Sequence, residues 1–280
     1  MGSRTSIIEE VIYIESGKTE KNYWIDLFKY RELFFFLAWR DILVRYKQTI
    51  IGILWCVIRP FLTMVVFSVI FGKIAKLPSN GIPYPLLVFS AVLPWQFFST
   101  SLMDSSNSIV ANGNMISKIY FPRIIVPISS IIVNLFDFFV SFGILVLLMI
   151  YYKFAPGWQI ITLPIFLFLA ILSSVGLGLW FTALNVKYRD FRFIIPFIVQ
   201  FGLYISPVGF SSSLIPDKWQ LLYSLNPMVC VIDGFRWAIL GQSMQTNLSG
   251  FCLSLLLLLT IFVTGIMYFR KTEKTFADVI

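Results

Sequence analysis

Of the 280 residues, 58% are hydrophobic and only 13% charged, and the mean hydropathy is +0.83. Soluble domains carry roughly 25% charged residues, so a water-soluble fold is excluded. The net charge of +8, with no histidine, reads as membrane topology and attraction to headgroups, and no nucleic-acid partner is expected. Three cysteines, Cys56 and Cys252 in apolar blocks and Cys230 in a loop, give neither an expected disulfide nor enough ligands for a metal site.

The first 48 residues are polar and charged, so no cleavable leader is expected. Residues 1–22 form an N-terminal arm, and the β-branched run at 6–14 suits a short extended stretch. From Tyr23 to residue 48 the pattern changes: Trp24, Leu27, Phe28, Leu33, Phe34, Leu37, Ile42 and Tyr46 recur at three- and four-residue steps among charges. That spacing predicts one or two amphipathic helices in the membrane interface, with Arg40, Arg45 and Lys47 on the headgroup side.

A transmembrane helix needs about 20 mostly apolar residues. Such blocks lie at 49–71, 84–103, 124–152, 161–185, 194–210 and 248–269, and continuous runs such as Phe251 to Phe269 argue for helices over a strand barrel. With both termini inside, sixteen Lys/Arg fall on inward segments and five on outward ones, the arrangement the positive-inside rule favours.

Arg59-Pro60 lies in the first block, where proline should kink the helix. An arginine in mid-span costs about 2.5–3.5 kcal/mol on insertion scales, so Arg59 either faces a polar partner or snorkels to the interface. Asp137 is the acidic residue within a span, and it pairs with Arg59, lines a water-filled path, or bonds to neighbouring Ser and Asn across helices. Between the second and third spans, residues 104–123 alternate small polar residues with Ile109, Val110, Met115, Ile116 and Ile119 and close at Pro122. A short amphipathic helix is expected there, lying on the membrane or gripped by another protein. The last outward segment, 211–247, holds Pro216, Trp219, Tyr223, Arg236 and Trp237; short re-entrant or interfacial helices anchored by the two Trp are expected.

No catalytic residues are assigned. Gly17-Lys18-Thr19 resembles the end of a phosphate loop, but its required first glycine would fall at Ile12. A membrane transferase would have to use Asp104, Asp190 or Asp217, residues that more often cap and turn the chain. A secondary transporter would show inverted repeats, and none is evident. A permease energised by a separate ATPase fits these absences best.

The stretch Trp39-Arg-Asp-Ile-Leu-Val-Arg-Tyr-Lys-Gln-Thr-Ile-Ile-Gly-Ile-Leu-Trp55 with Pro60 resembles the approach to the first span in ABC permeases that export polysaccharide or polyol-phosphate chains. Asn112-Gly-Asn, Ile119-Tyr-Phe-Pro-Arg123, Asn185-Val-Lys-Tyr-Arg-Asp190, Ser206-Pro-Val208, Leu225-Asn-Pro-Met228 and Phe276-Ala-Asp-Val-Ile280 follow in the family's order. The resemblance is nearest to O-antigen exporters. It implies an all-α six-span domain over 49–280, a homodimer in the bacterial inner membrane, two copies of an ATPase subunit that hold ATP and Mg, and a lipid-linked glycan as cargo. No cofactor is expected in this chain itself. Teichoic-acid or capsule export, and less readily export of a small lipid or drug, are the alternatives on the same fold.

By the same resemblance 104–123 transmits ATPase motion through Asn107, Ile109, Val110, Asn112, Met115, Ile116, Lys118, Ile119, Pro122 and Arg123. Trp24, Tyr30, Arg40, Arg45, Tyr46 and Lys47 shape the cytoplasmic entrance, and Pro216, Trp219, Tyr223, Arg236 and Trp237 gate the outer mouth. Because sugar faces pack well on aromatic rings, Trp55, Trp95 and Phe98, with Arg59 and Asp137, are the expected channel residues.

Overall fold

The computed structural model describes residues 23–47, 52–79, 81–241 and 247–276; the N-terminal arm, with its extended stretch at 6–14, lies outside them, as do the last four residues. Among the described residues the chain is helical, without strands. Two helices, α1 (Tyr23–Lys29) and α2 (Arg31–Lys47), precede the bundle. Then come α3 (Gly52–Phe67), which continues as a π-helical stretch to Ile74, α4 (Tyr84–Ala111), the short α5 (Gly113–Ile116), α6 (Ile125–Tyr151) and α7 (Leu163–Lys187). The chain finishes with α8 (Phe191–Ile205), α9 (Asp217–Tyr223), α10 (Pro227–Leu240) and α11 (Leu248–Thr272).

Among the described residues five helices are long and apolar enough to cross a membrane, and α8 is a shorter apolar one. The central one is α4. Of its most apolar stretch 83% is buried, against 17% for the α3 segment and 22% for α11, so α4 is a mast against which α3, α6, α7, α8 and α10 pack, while α11 lies outside it against α7. Helix α4 runs on to Ala111, eight residues past the span expected from hydropathy. The reason is packing: Ser105, Ser106 and Ser108 are buried and return their hydroxyls to carbonyls one turn back. Small polar residues therefore continue the helix against α7, and of the amphipathic helix expected over 104–123 only Gly113–Ile116 forms a separate element.

Close approach fixes the neighbours. In α7, Thr182 donates to the Ser105 carbonyl at 2.9 Å, and Asn185 Nδ2 donates to the Ser106 carbonyl at 2.9 Å and to Asn107 Oδ1 at 3.1 Å. These are the small-residue and polar contacts that hold helices together where lipid offers no hydrophobic drive. A Cβ on Gly265 of α11 would stand 2.3 Å from the Gly176 carbonyl oxygen of α7, so only glycine allows this crossing.

Helix α8, 15 residues long, rises roughly 22 Å, short of the ~30 Å hydrocarbon core. It ends at Ile205 and not near 210, because Ser206 turns extended, with ψ of 154°, ahead of Pro207, a step that proline imposes on its predecessor. The chain then passes through α9 and α10, the short helices expected over 211–247. Ser254 Oγ, roughly 9 Å into α11, donates to the Ser224 carbonyl at 2.6 Å. The α9–α10 turn thus dips into the bundle, and α10 returns to the α7 start, where Trp237 meets Trp158 and Phe166 with ring centroids 6.3 and 6.2 Å apart.

Candidate functional site

At the end of the bundle that carries α2, a cavity of about 440 Å³ opens between α2, α3, α4 and α6, with Tyr46, Trp55, Arg59, Gln96, Phe97 and Thr100 among its lining residues. Its floor is an ionic knot. Arg45 reaches from α2 to Asp104 of α4 at 2.8 Å and to Asp137 of α6 at 2.7 Å, and donates to Asn134 Oδ1 at 3.0 Å. Asn134 Nδ2 donates to Asp104 at 3.0 Å, and the Tyr46 hydroxyl donates to Asp137. Burial works against the Arg45 charge, but the two aspartates outweigh it and hold the guanidinium above its ordinary range.

The partner of Asp137 is therefore Arg45, and the Arg59–Asp137 pair does not form. Helix α2 packs on α6 with Leu37 and Ala38 buried, which brings Arg45 to the carboxylate, while Arg59 is exposed on the cavity wall. The same packing revises the interfacial expectation. Arg40 and Arg45 point into the protein, Arg40 to Asp41 at 2.7 Å and to Asn112 Oδ1 at 3.2 Å, and the outward face of α2 carries Phe35, Phe36 and Trp39. Trp24 and Lys47 are exposed and Tyr30 is half-buried.

Of the expected channel residues, Trp55, Arg59 and Asp137 come together at this cavity. Trp95 and Phe98 do not. Both are buried, on the α4 face turned to α8, where the Trp95 ring covers Gly202 so closely that a Cβ there would stand 2.6 Å from it.

The 104–123 segment divides. Ile109, Ile116 and Pro122 are buried, and Met115 packs against the core; Val110, Lys118 and Ile119 are exposed, the last two in the turn after α5. Asn107 and Asn112 hold α7 and α2. Arg123 is tied to the end of α11: its backbone N–H donates to Glu273 Oε1 at 2.6 Å and its guanidinium to the Glu273 carbonyl. Tyr23 donates to the other Glu273 oxygen at 3.0 Å, and Arg270 stacks 4.5 Å from the Tyr23 ring centroid. Burial, then Glu273, push the Tyr23 phenol far above its ordinary value.

The opposite end is built differently. Arg236, 3% exposed, donates to the carbonyls of Phe210 at 2.7 Å, Val208 at 3.1 Å and Leu87 at 3.3 Å, with burial lowering its pKa against the pull of Asp233. Asp233 accepts from Ser212 at 2.8 Å. Asn226 caps α10 through the Met228 N–H and donates to Ser206 at 2.8 Å, which joins the Ser206-Pro-Val and Asn226-Pro-Met motifs. Burial pushes the Cys230 thiol up to about 12, leaving it inert. Of the expected gate, Arg236 is packed inside and Trp237 is half-buried, whereas Pro216 and Trp219 are exposed. Tyr223 is half-buried, with no hydrogen-bond partner for its hydroxyl among the described residues.

Asn134, Tyr23 and Glu273 escaped the sequence reading. Asn134 had a signal, lying one turn before Asp137 on the same face of an apolar helix. Glu273 had none, since its partners lie 150 and 250 residues away.

Among the described residues a buried mast with four further membrane-length helices, a dipping helical pair at one end and a cavity floored by an ionic knot at the other suit a membrane transport protein. The family model of the ABC-2 type transporters matches residues 32–240, and the chain belongs to that family. It is a transport permease subunit and not an enzyme. The chain is 28% identical over 214 residues, 75% of its length, to the O-antigen export system permease protein RfbA of Myxococcus xanthus, covering 81% of that protein. It is 25% identical to the protein of the same name from Klebsiella pneumoniae, over 86% of this chain and 92% of that one. Against the polysialic acid transport protein KpsM of Escherichia coli identity is 25%, with 84% and 91% covered.

Proposed function

We propose that this chain is the membrane half of an ATP-driven exporter of lipid-linked polysaccharide, with the O-antigen of lipopolysaccharide as cargo. The observation that carries the reading is the near full-length similarity to permeases named for O-antigen export. The similarity to a polysialic acid transport protein supports capsule export as the second reading.

On this reading the α2 end faces the cytoplasm with both termini, as the distribution of Lys and Arg favours, in the inner membrane of a bacterium. The domain from 49 onward works as a homodimer with two ATPase subunits, which hold the ATP and Mg. The ATPase grips the exposed turn at Lys118 and Ile119. Motion of that turn reaches α2 through Asn112 and Arg40 and reaches α11 through Arg123 and Glu273. The α9–α10 pair closes the outer mouth, with Trp219 at its moving surface.

Affinity purification from native membranes in mild detergent, followed by mass spectrometry, tests the reading. A nucleotide-binding ATPase recovered at one copy per chain is the expected result. A chain recovered alone, with surface glycan unchanged in its deletion strain, would sink it.

A further inference from the structure

Three segments far apart in sequence meet on one carboxylate. Glu273, at the end of α11, takes the Arg123 N–H on Oε1 at 2.6 Å and the Tyr23 hydroxyl on Oε2 at 3.0 Å, so each oxygen serves a different segment. Neither nearby arginine forms an ion pair with it among the described residues. The Arg123 guanidinium goes to the Glu273 carbonyl, and Arg270 lies over the rings of Tyr23 and Trp24, 4.5 and 5.5 Å from their centroids. In front of this knot, Ser117, Lys118, Ile119 and Tyr120 are exposed in a row. Helical hydrogen bonding lapses behind them, from the Ile119 N–H, which still reaches the Met115 carbonyl, to the Ile125 N–H, which turns back to Pro122. Phe121 and Pro122 are buried, so the exposed turn is rooted by these two side chains and by the Arg123 N–H on Glu273.

We infer that Glu273 is a positioning residue for energy coupling: its carboxylate fixes the exposed turn 117–120 to α1 and α11, so that a displacement of the turn moves both helices with it. The functional half of this inference rests on the export reading. An ionised carboxylate suits the task, because it accepts on both oxygens at once and its hydrogen bonds are roughly twice as strong as neutral ones. With alanine at 273, the Arg123 N–H and the Tyr23 hydroxyl lose this acceptor. The turn then pivots on Phe121 and Pro122, and a push on Lys118 or Ile119 is absorbed in the loop.

The test has two readouts. In the full-length chain alone, in nanodiscs, tryptic cleavage after Lys118 should quicken threefold or more in Glu273→Ala, because a loosened turn fits the protease better. An unchanged rate overturns the brace, whatever the chain transports. In a strain lacking the wild-type gene and carrying the variant with its ATPase, surface glycan should fall fivefold or more, while the ATPase co-purifies at the wild-type ratio and ATP hydrolysis per complex stays within twofold. Glycan at the wild-type level, or hydrolysis falling in step with glycan, overturns the coupling role, since a merely structural part would lower both or neither. Should Glu273→Ala fail to insert, Tyr23→Phe, which removes one oxygen from the knot, is read in its place. A twofold faster cleavage and a twofold loss of glycan are then expected, and unchanged values overturn the proposal. A wild-type chain recovered without any ATPase would sink the export reading and the coupling role together, and the brace would still stand or fall by the cleavage rate.

Discussion

Arg45 and Arg236 both gather partners from several elements, yet they are held by opposite chemistry. Arg45 meets two carboxylates and an amide at a site where the pairs are still 20–39% exposed. Arg236 is 3% exposed and meets neutral backbone carbonyls. Ion pairs in partial water are worth little each and can break and re-form at small cost. A buried guanidinium in a cage of carbonyls cannot leave without stranding every acceptor. The comparison teaches that α10 itself is locked by its cage, whereas the Arg45 contacts at the α2 end can be exchanged at small cost.

The sharpest way to break this contrast is Arg236→Leu, which strands three buried carbonyls and should cost about 3 kcal/mol or more; a wild-type thermal midpoint in detergent would contradict the cage. Next is Gly265→Leu. Its side chain must displace the α7 backbone at Gly176, with a loss of about 1–3 kcal/mol, read as a lower midpoint and an aggregated peak on size exclusion. At the other end, a double-mutant cycle of Arg45→Gln and Asp137→Asn should give a coupling of about 1 kcal/mol or less that shrinks with added salt. A larger, salt-independent coupling would make that end as fixed as the first. Smallest of all, Trp219→Ala should leave stability within about 0.5 kcal/mol while lowering surface glycan, measured by immunoblot of whole cells.

Much of the fold was legible because lipid demands long apolar runs. The starts of α4, α6 and α11 fall within a residue of the hydropathy blocks. Two of the misreadings share a physical root: polarity marks the end of a span only when the polar group faces water. Ser105, Ser106 and Ser108 face α7 and satisfy themselves within α4, so the helix runs on. The same root explains Arg45, whose charge suggested a headgroup and met two carboxylates. Ser206-Pro207, in contrast, carried a local backbone rule strong enough to stop α8, and was overlooked inside an apolar run. The partner of Asp137 was illegible for a different reason, since a sequence does not say which of several arginines an interfacial helix will lay on the carboxylate. Trp95 shows the converse, an aromatic whose burial was decided by a glycine more than 100 positions away.

The tie between Tyr23 and Glu273 joins residues 250 positions apart and so imposes an order on the making of the molecule. At roughly 5–20 residues per second, α1 leaves the ribosome on the order of ten to fifty seconds before its carboxylate exists. During that interval α1 lacks this anchor, whereas α2 can already be held through Arg45 by Asp104 and Asp137. Helix α1, the earliest of the described helices to be synthesised, is therefore among the last to be fastened, and any chain broken off before Glu273 leaves that knot untied.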